Sequence, residues 1–325
     1  QAGRWIAGHL PKSSRIGLEK GAFAFRRDLV RLDDFNTKLL GIEVPFHSRG
    51  YMTCRGTTYY LQDHIRDRDY IVITDTNRYP QFTAVPEMFP VVSGFYQRLM
   101  DGRLDFELVR RFKQYPELFG WQFKDDGTEP SFLGFDHPSV LVLKRRRGED
   151  LSEIFSRWRD ELHESPSCAD SKLHQAASQI QAENFGQALL SLQEIQQRYP
   201  HMKLSHFMAA EIHRRNGERE QAQAAERRYK EDLQLHRAHL VPWASSLSFL
   251  ELGLIDYAAN ALRIGATEVA QYNAAARKFM ATYYASIAYN FMLLESKEQA
   301  VEAYRLSLQI HETAQAFNGL KKLIP

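Results

Sequence analysis

The residues best placed to do chemistry in this 325-residue chain follow its strongest apolar run. Tyr70-Ile71-Val72-Ile73 has the continuous β-branched and aromatic character of a strand buried on both faces. Asp75, Asn77, Arg78 and Tyr79 come directly after it. Ligands of α/β sheets bind beyond the carboxyl ends of strands. A carboxylate, an amide, a guanidinium and an aromatic ring at such a place suit a sugar or phosphosugar. The same residues also suit a plain turn over 75–80, in which Asp and Asn side chains bond the backbone.

Other patterns carry less. No Gly-rich phosphate loop, G-x-S-x-G or H-E-x-x-H occurs. The twelve histidines show no metal-ligand spacing. His201 with His206 and His236 with His239 read as surface pairs. Asp33-Asp34 and Asp125-Asp126 read as solvated turns, since acid–base pairs need an enclosing cleft. No catalytic residue, metal or cofactor is therefore expected. Lys144-Arg145-Arg146-Arg147 is either a solvated strand end or a contact for lipid head groups or phosphate. The net charge of +2 gives no reason to expect nucleic acid as a partner. Cys54 and Cys168 are the two cysteines. They fall in different predicted domains, so a disulfide between them is not expected, and Cys54 reads as a small core residue of a strand over 51–55.

The elements that would position these residues form an α/β sandwich over 1–147. A short helix over 2–10 precedes a strand at Arg15–Glu19. Residues 22–50 read as a short helix and a strand or loop. A helix over 58–68 leads into the strand at 69–74, and a helix over 89–100 into strands at 106–112 and 139–144. Strands alternating with helices argue for this class. Residues 148–170 are then an amphipathic helix and a linker. Leu151, Ile154, Phe155, Trp158 and Leu162 share one face of that helix, and Asp150 with Glu153 has the capping-box form.

From 171 to 325 the strand-like runs stop and Ala, Gln, Glu and Leu dominate. Ala188, Leu192, Ile195 and Pro200 have the spacing of the second helix of a tetratricopeptide repeat. Ala222 and Ala258 mark two further units, with Gly217 and Gly253 in the turns before them and with Tyr229 and Leu262 as later core positions. Ala288, Ala300 and Tyr304 mark a last one, for which Ser296 and Gln299 form a capping box. A long helix over 268–294 accounts for the wider last spacing. Such arrays present concave surfaces to peptides or helices, so a protein partner is expected.

The first 147 residues resemble the extracytoplasmic C-terminal region of polytopic membrane glycosyltransferases. The family is the dolichyl-phosphate-mannose–protein mannosyltransferase-like proteins of the GT-C class. The resemblance lies in AGRWIAGHLPKSSRIGLE, in the stretch from DYIVITDTNRYP to FKQYPELFG, and in FDHPSVLVLKR. It implies a soluble cap on the periplasmic or extracytoplasmic face of the cytoplasmic membrane. It also implies lipid-linked sugar or a glycan acceptor as a ligand, and chemistry located in a membrane portion before Gln1. No catalytic residue carries over. A stand-alone scaffold of an envelope or polysaccharide-export complex, and a soluble enzyme using the Asp75–Tyr79 loop, are the alternatives.

Overall fold

The computed structural model describes residues 2–19, 35–40, 50–74, 78–113, 115, 117–119, 121–122, 139–231, 241–269 and 274–324. The chain divides into two compact units. The first takes Gln1–Phe46 and Thr57–Ser167, the second His47–Gly56 and Cys168–Pro325. The ten-residue stretch ending at Gly56 thus belongs with the C-terminal part of the chain, which a linear division at 147 and 170 does not capture.

The first unit is built on a five-stranded mixed sheet ordered β2-β1-β3-β7-β4. Its strands are β1 (Arg15–Leu18), β2 (Asn36–Leu39), β3 (Tyr70–Thr74), β4 (Phe106–Phe112) and β7 (Val140–Arg145). The short β5 (Glu117–Leu118) and β6 (Trp121–Gln122) pair separately. β1 runs parallel to β2 and β3, while β7 runs antiparallel to β3 and β4. Ile71, Val72 and Ile73 are fully buried, as a central strand covered on both faces requires. On one face Ile16, Leu18, Tyr70, Val72 and Val142 pack with Ile6 and Leu10 from α1 (Ala2–His9) and the turn after it.

Strand alternation sends Gly17, Ile71 and Leu143 to the other face. Three helices of this unit pack together. They are α2 (Cys54–Ile65, from Thr57 onward), α4 (Pro90–Met100) and α5 (Leu151–His163). The buried face of α5 is Leu151, Ile154, Phe155, Trp158 and Leu162, the five that helical spacing selects. A side chain at Gly94 would approach the Trp158 ring to 3.1 Å, so glycine permits that contact. Arg98 lies over the same ring at 5.2 Å, and Arg159 reaches Gln62 at 2.7 Å. Asp150 caps α5 by accepting the Ser152 N–H at 2.9 Å.

The second unit is helical. It contains α6 (Asp170–Gln181), α7 (Phe185–Arg198), α8 (Lys203–Arg215), α9 (Arg219–Lys230), α10 (Val241–Glu251), α11 (Ile255–Val269), α12 (Ala274–Leu293), α13 (Lys297–Ile310) and α14 (Ala314–Leu323). Consecutive helices pack as pairs: α6 on α7, α8 on α9, α10 on α11, α12 on α13. One turn recurs in all four pairs. Glu183, Gly217, Gly253 and Glu295 take left-handed φ of 56°, 78°, 72° and 58°. In each turn the next residue's N–H returns to the carbonyl five positions earlier, as in Asn184 to Gln179 at 2.8 Å and Ser296 to Phe291 at 2.9 Å.

Five residues after each left-handed position stands an alanine. Ala188, Ala258 and Ala300 are fully buried and Ala222 nearly so. A small side chain there admits the neighbouring helix closely. The repeat signal in the sequence is thus a repeated turn and a repeated close contact. One local expectation differs. The Ser296 hydroxyl turns back to the Leu294 carbonyl at 3.3 Å, and Gln299 instead reaches Asp256 at 3.3 Å, so no capping box forms. Of the long helix expected over 268–294, Ala274–Leu293 is helical as α12, and 270–273 lie outside the described residues.

Candidate functional site

The loop after β3 is described only in part. Asp75 and Asn77 lie outside the described residues. Arg78 opens a short helix, α3 (Arg78–Thr83), so residues 78–80 are helical rather than part of the expected turn. Pro80 in its first turn explains the difference, since proline fits where the N–H has no helical acceptor. Tyr79 is half-buried and meets Tyr96 edge-on at 5.7 Å. The Tyr96 hydroxyl donates to the buried Glu19 carboxylate. Tyr79 is thereby committed to packing on α4 along one edge.

A second cluster, within the helical unit, was not legible as a site. Cys54 and Cys168 form a disulfide. Both lie in this unit, so the expectation of separate domains, and of Cys54 on a strand, is corrected. Cys54 is the first residue of α2, and Thr53 before it is the cap. The Thr53 hydroxyl accepts the Gly56 N–H at 2.8 Å. Asp170, fully buried at the start of α6, accepts the N–H groups of Cys54 at 2.8 Å and Arg55 at 2.7 Å. The first three N–H groups of α2 therefore all have acceptors, two of them a carboxylate at the positive end of the helix.

Glu251, at the end of α10, closes this cluster. It accepts the Thr53 hydroxyl proton, and its other oxygen lies 3.8 Å from Arg55 Nε and 3.7 Å from His174 Nε2. Burial pushes its carboxyl up to about 7, and the nearby Asp170 adds to the rise; the Thr53 hydrogen bond and Arg55 oppose it. A carboxyl near neutrality marks many general acids. Here the surrounding groups belong to the chain's own fastening of residues 50–56. Tyr51 donates to the Tyr229 carbonyl at 2.7 Å, and Leu204 donates to the Gly50 carbonyl at 3.0 Å.

The first unit holds a polar cleft of about 470 Å³ between α4, α5 and the end of β7. Its guanidiniums are each matched: Arg98 with Glu161, Arg103 with Asp101 at 2.6 Å, Arg146 with Asp105 at 3.5 Å, Arg157 with Glu149 at 2.5 Å. A cleft so balanced selects no charged ligand strongly.

The basic run divides its work. Arg146 enters this cleft, whereas Arg145 and Arg147 turn to the end of the sheet where β1 and β3 begin. There Asp69 accepts the Arg15 backbone N–H at 2.9 Å and its side-chain Nε and Nη2, each at 3.3 Å, and it also binds Arg147. Burial would raise the Asp69 carboxyl, but the Arg15 and Arg147 hydrogen bonds outweigh it and hold it at about 2.

Comparison with protein-family models, with curated proteins and with solved structures finds no match to this chain. Among the described residues no group of three or more His, Cys, Asp or Glu is placed to hold a metal ion. No helix among them is long and apolar enough to cross a membrane. Of the pair His201 and His206, the second departs from the surface reading. His206 is buried, and desolvation with the nearby Lys203 and Arg228 lowers it to about 4, so its ring is neutral.

Proposed function

We propose that this chain is the extracytoplasmic portion of a GT-C-like membrane glycosyltransferase. In this reading the sheet domain caps a membrane active site that handles lipid-linked sugar. The helical unit is a tetratricopeptide-type array that recruits a protein partner. The observation that carries the reading is the Cys54–Cys168 disulfide, because such bonds persist in oxidising compartments and are rare in the cytosol. The four recurrent turns, each followed by a buried alanine, support the repeat assignment. The resemblance of residues 1–147 supplies the enzyme family.

The sequence encoded upstream of Gln1 tests the first half. Several membrane-spanning helices are expected there, and their absence overturns the glycosyltransferase reading. The compartment is tested by trapping free thiols in intact cells. Cys54 and Cys168 are expected to resist alkylation until reductant is added. The repeated helix pairs also favour a second reading, a stand-alone scaffold of an envelope complex. It predicts the same oxidised cysteines with no membrane helices upstream.

A further inference from the structure

The end of the sheet where β1 and β3 begin gathers five arginines from three separate stretches of chain: Arg15, Arg66, Arg68, Arg145 and Arg147. Three carboxylates serve three of them. Asp69 holds Arg15 and Arg147, while Asp63 and Asp67 lie 3.2 Å and 3.8 Å from Arg66. Counted among the described residues, five cations face three anions. Arg68 and Arg145 are the two of the five that make no ion pair with a described carboxylate.

Arg68 is only 8% exposed, and its Nε and Nη1 have no hydrogen-bond partner. It comes directly before Asp69, and its stem lies against Gly17, where a Cβ would approach Arg68 Cγ to 3.3 Å. Arg145 donates its backbone N–H to the Asp69 carbonyl at 2.9 Å. One of its terminal nitrogens binds the Arg66 carbonyl, and its Nε is buried without a partner. Strand alternation places Arg15 and Arg145 on the Gly17 side of the sheet, opposite the core formed by Ile16, Tyr70 and Val142.

Buried guanidinium nitrogens without acceptors are costly, and native proteins rarely leave them so. An anion of charge near two with several acceptor oxygens would supply such acceptors, and planar guanidiniums match phosphate oxygens two at a time. The geometry points to a phosphate-binding site at this end of the sheet, with Arg68 at its base and Arg145, Arg15 and Arg147 at its rim. Phosphate monoesters and diphosphates carry that chemistry, whether free or as a lipid headgroup. The inference does not rest on the glycosyltransferase reading.

The test uses the whole 325-residue chain. Thermal unfolding is followed in inorganic phosphate, in pyrophosphate and in chloride of equal ionic strength. Flotation with phosphatidic acid vesicles and with phosphatidylcholine vesicles distinguishes a lipid source from a free one. Expected are a phosphate- or pyrophosphate-dependent rise in Tm, or capture by phosphatidic acid vesicles alone. Arg145→Ala should weaken either by about tenfold, the effect of losing one charged hydrogen-bonded pair. Arg68→Met should abolish it while leaving ligand-free Tm unchanged or raised, because it removes an unpaired buried charge. If Arg68→Met does not fold, Arg145→Ala with Arg68→Lys decides. No shift beyond chloride together with no vesicle capture overturns the site. So does equal binding to both vesicle types, or an unchanged response in the variants.

Discussion

Two polar clusters in this protein are built from similar parts and reach opposite balances. At the start of α2, in the helical unit, Asp170 and Glu251 surround a helix N-terminus with Arg55, His174 and the Cys54–Cys168 bond. Every N–H of the first turn has an acceptor there. At the sheet end of the first unit, guanidiniums outnumber carboxylates among the described residues, and three buried nitrogens of Arg68 and Arg145 have no acceptor. A cluster that satisfies its own donors fastens the chain to itself. A cluster that leaves charged donors buried and unsatisfied is shaped for something outside the chain. The contrast separates structural from binding chemistry better than the presence of charge does.

The largest effect should come from breaking the self-satisfied cluster at its covalent bond. The disulfide joins residues 114 apart. A loop of that size corresponds to about 4–5 kcal/mol of stability in the chain-entropy account. Cys54→Ser with Cys168→Ser should lower the urea midpoint of the helical unit, read by the fluorescence of Trp243. That tryptophan is buried in α10. It should also speed hydrogen exchange at Cys54→Ser's own amide and at Arg55 and Gly56. An unchanged midpoint would mean that Asp170 and Glu251 alone hold residues 50–56 in place.

A smaller effect, with a definite sign, belongs to Glu251. Its folded-state carboxyl sits at about 7, above the usual 4.5 that it regains on unfolding. The folded state therefore binds the proton more tightly. The resulting stability is fully present below pH 4.5 and is lost as pH rises through 7. The difference is at most about 3 kcal/mol. Glu251→Gln keeps an oxygen to accept the Thr53 hydroxyl and has no charge to desolvate. It should make the helical unit more stable than the parent at pH 8, by roughly 2 kcal/mol, and equal to it near pH 4.5. Parallel stability curves for the two proteins across this range would show that Glu251 is not the titrating group.

Much of this contrast lies beyond what the sequence discloses. β3 is legible because Tyr70–Ile73 is apolar without alternation, and α5 because its five core residues fall on one stripe. The alanines at 188, 222, 258 and 300 are legible because the same turn precedes each. The clusters are different. Asp170 sits in a Ser-Pro-Ser stretch that reads as linker, yet it is fully buried because two N–H groups 115 and 116 residues earlier need a carboxylate. Nothing local to Cys54 announces a helix start except Thr53, whose side chain caps but whose following residues are Cys, Arg and Gly. An even cysteine count in a chain read as extracytoplasmic was the available signal for the disulfide. The five arginines come together only through register, which sets Ile16 and Lys144 on either side of Tyr70. The Asp75–Tyr79 loop had the opposite fate: Tyr79 is drawn into packing on Tyr96, and Arg78 into a helix.

Asp69 offers the smallest effect and the sharpest comparison, because it should answer acid in the opposite sense to Glu251. Arg15 and Arg147 hold its carboxyl at about 2, below the usual 3.8. A depressed folded-state value contributes stability that is present above pH 3.8 and is lost as pH falls through 2. The shift sets a ceiling of about 2 kcal/mol, and partial exposure of the group lowers it to roughly 1. Hydrogen exchange of the β3 and β7 amides should therefore accelerate between pH 4 and 2, after correction for intrinsic rates. Asp69→Asn should show this loss already at pH 7 and little further change on acidification. The same variant raises the uncompensated charge beside Arg68 from two to three, so phosphate should protect β3 more strongly in it than in the parent. Weaker protection by phosphate would mean that Asp69 orients Arg15 and Arg147 for the anion as well as balancing them. Acid-resistant exchange in both proteins would remove the distinction between the two carboxylates altogether.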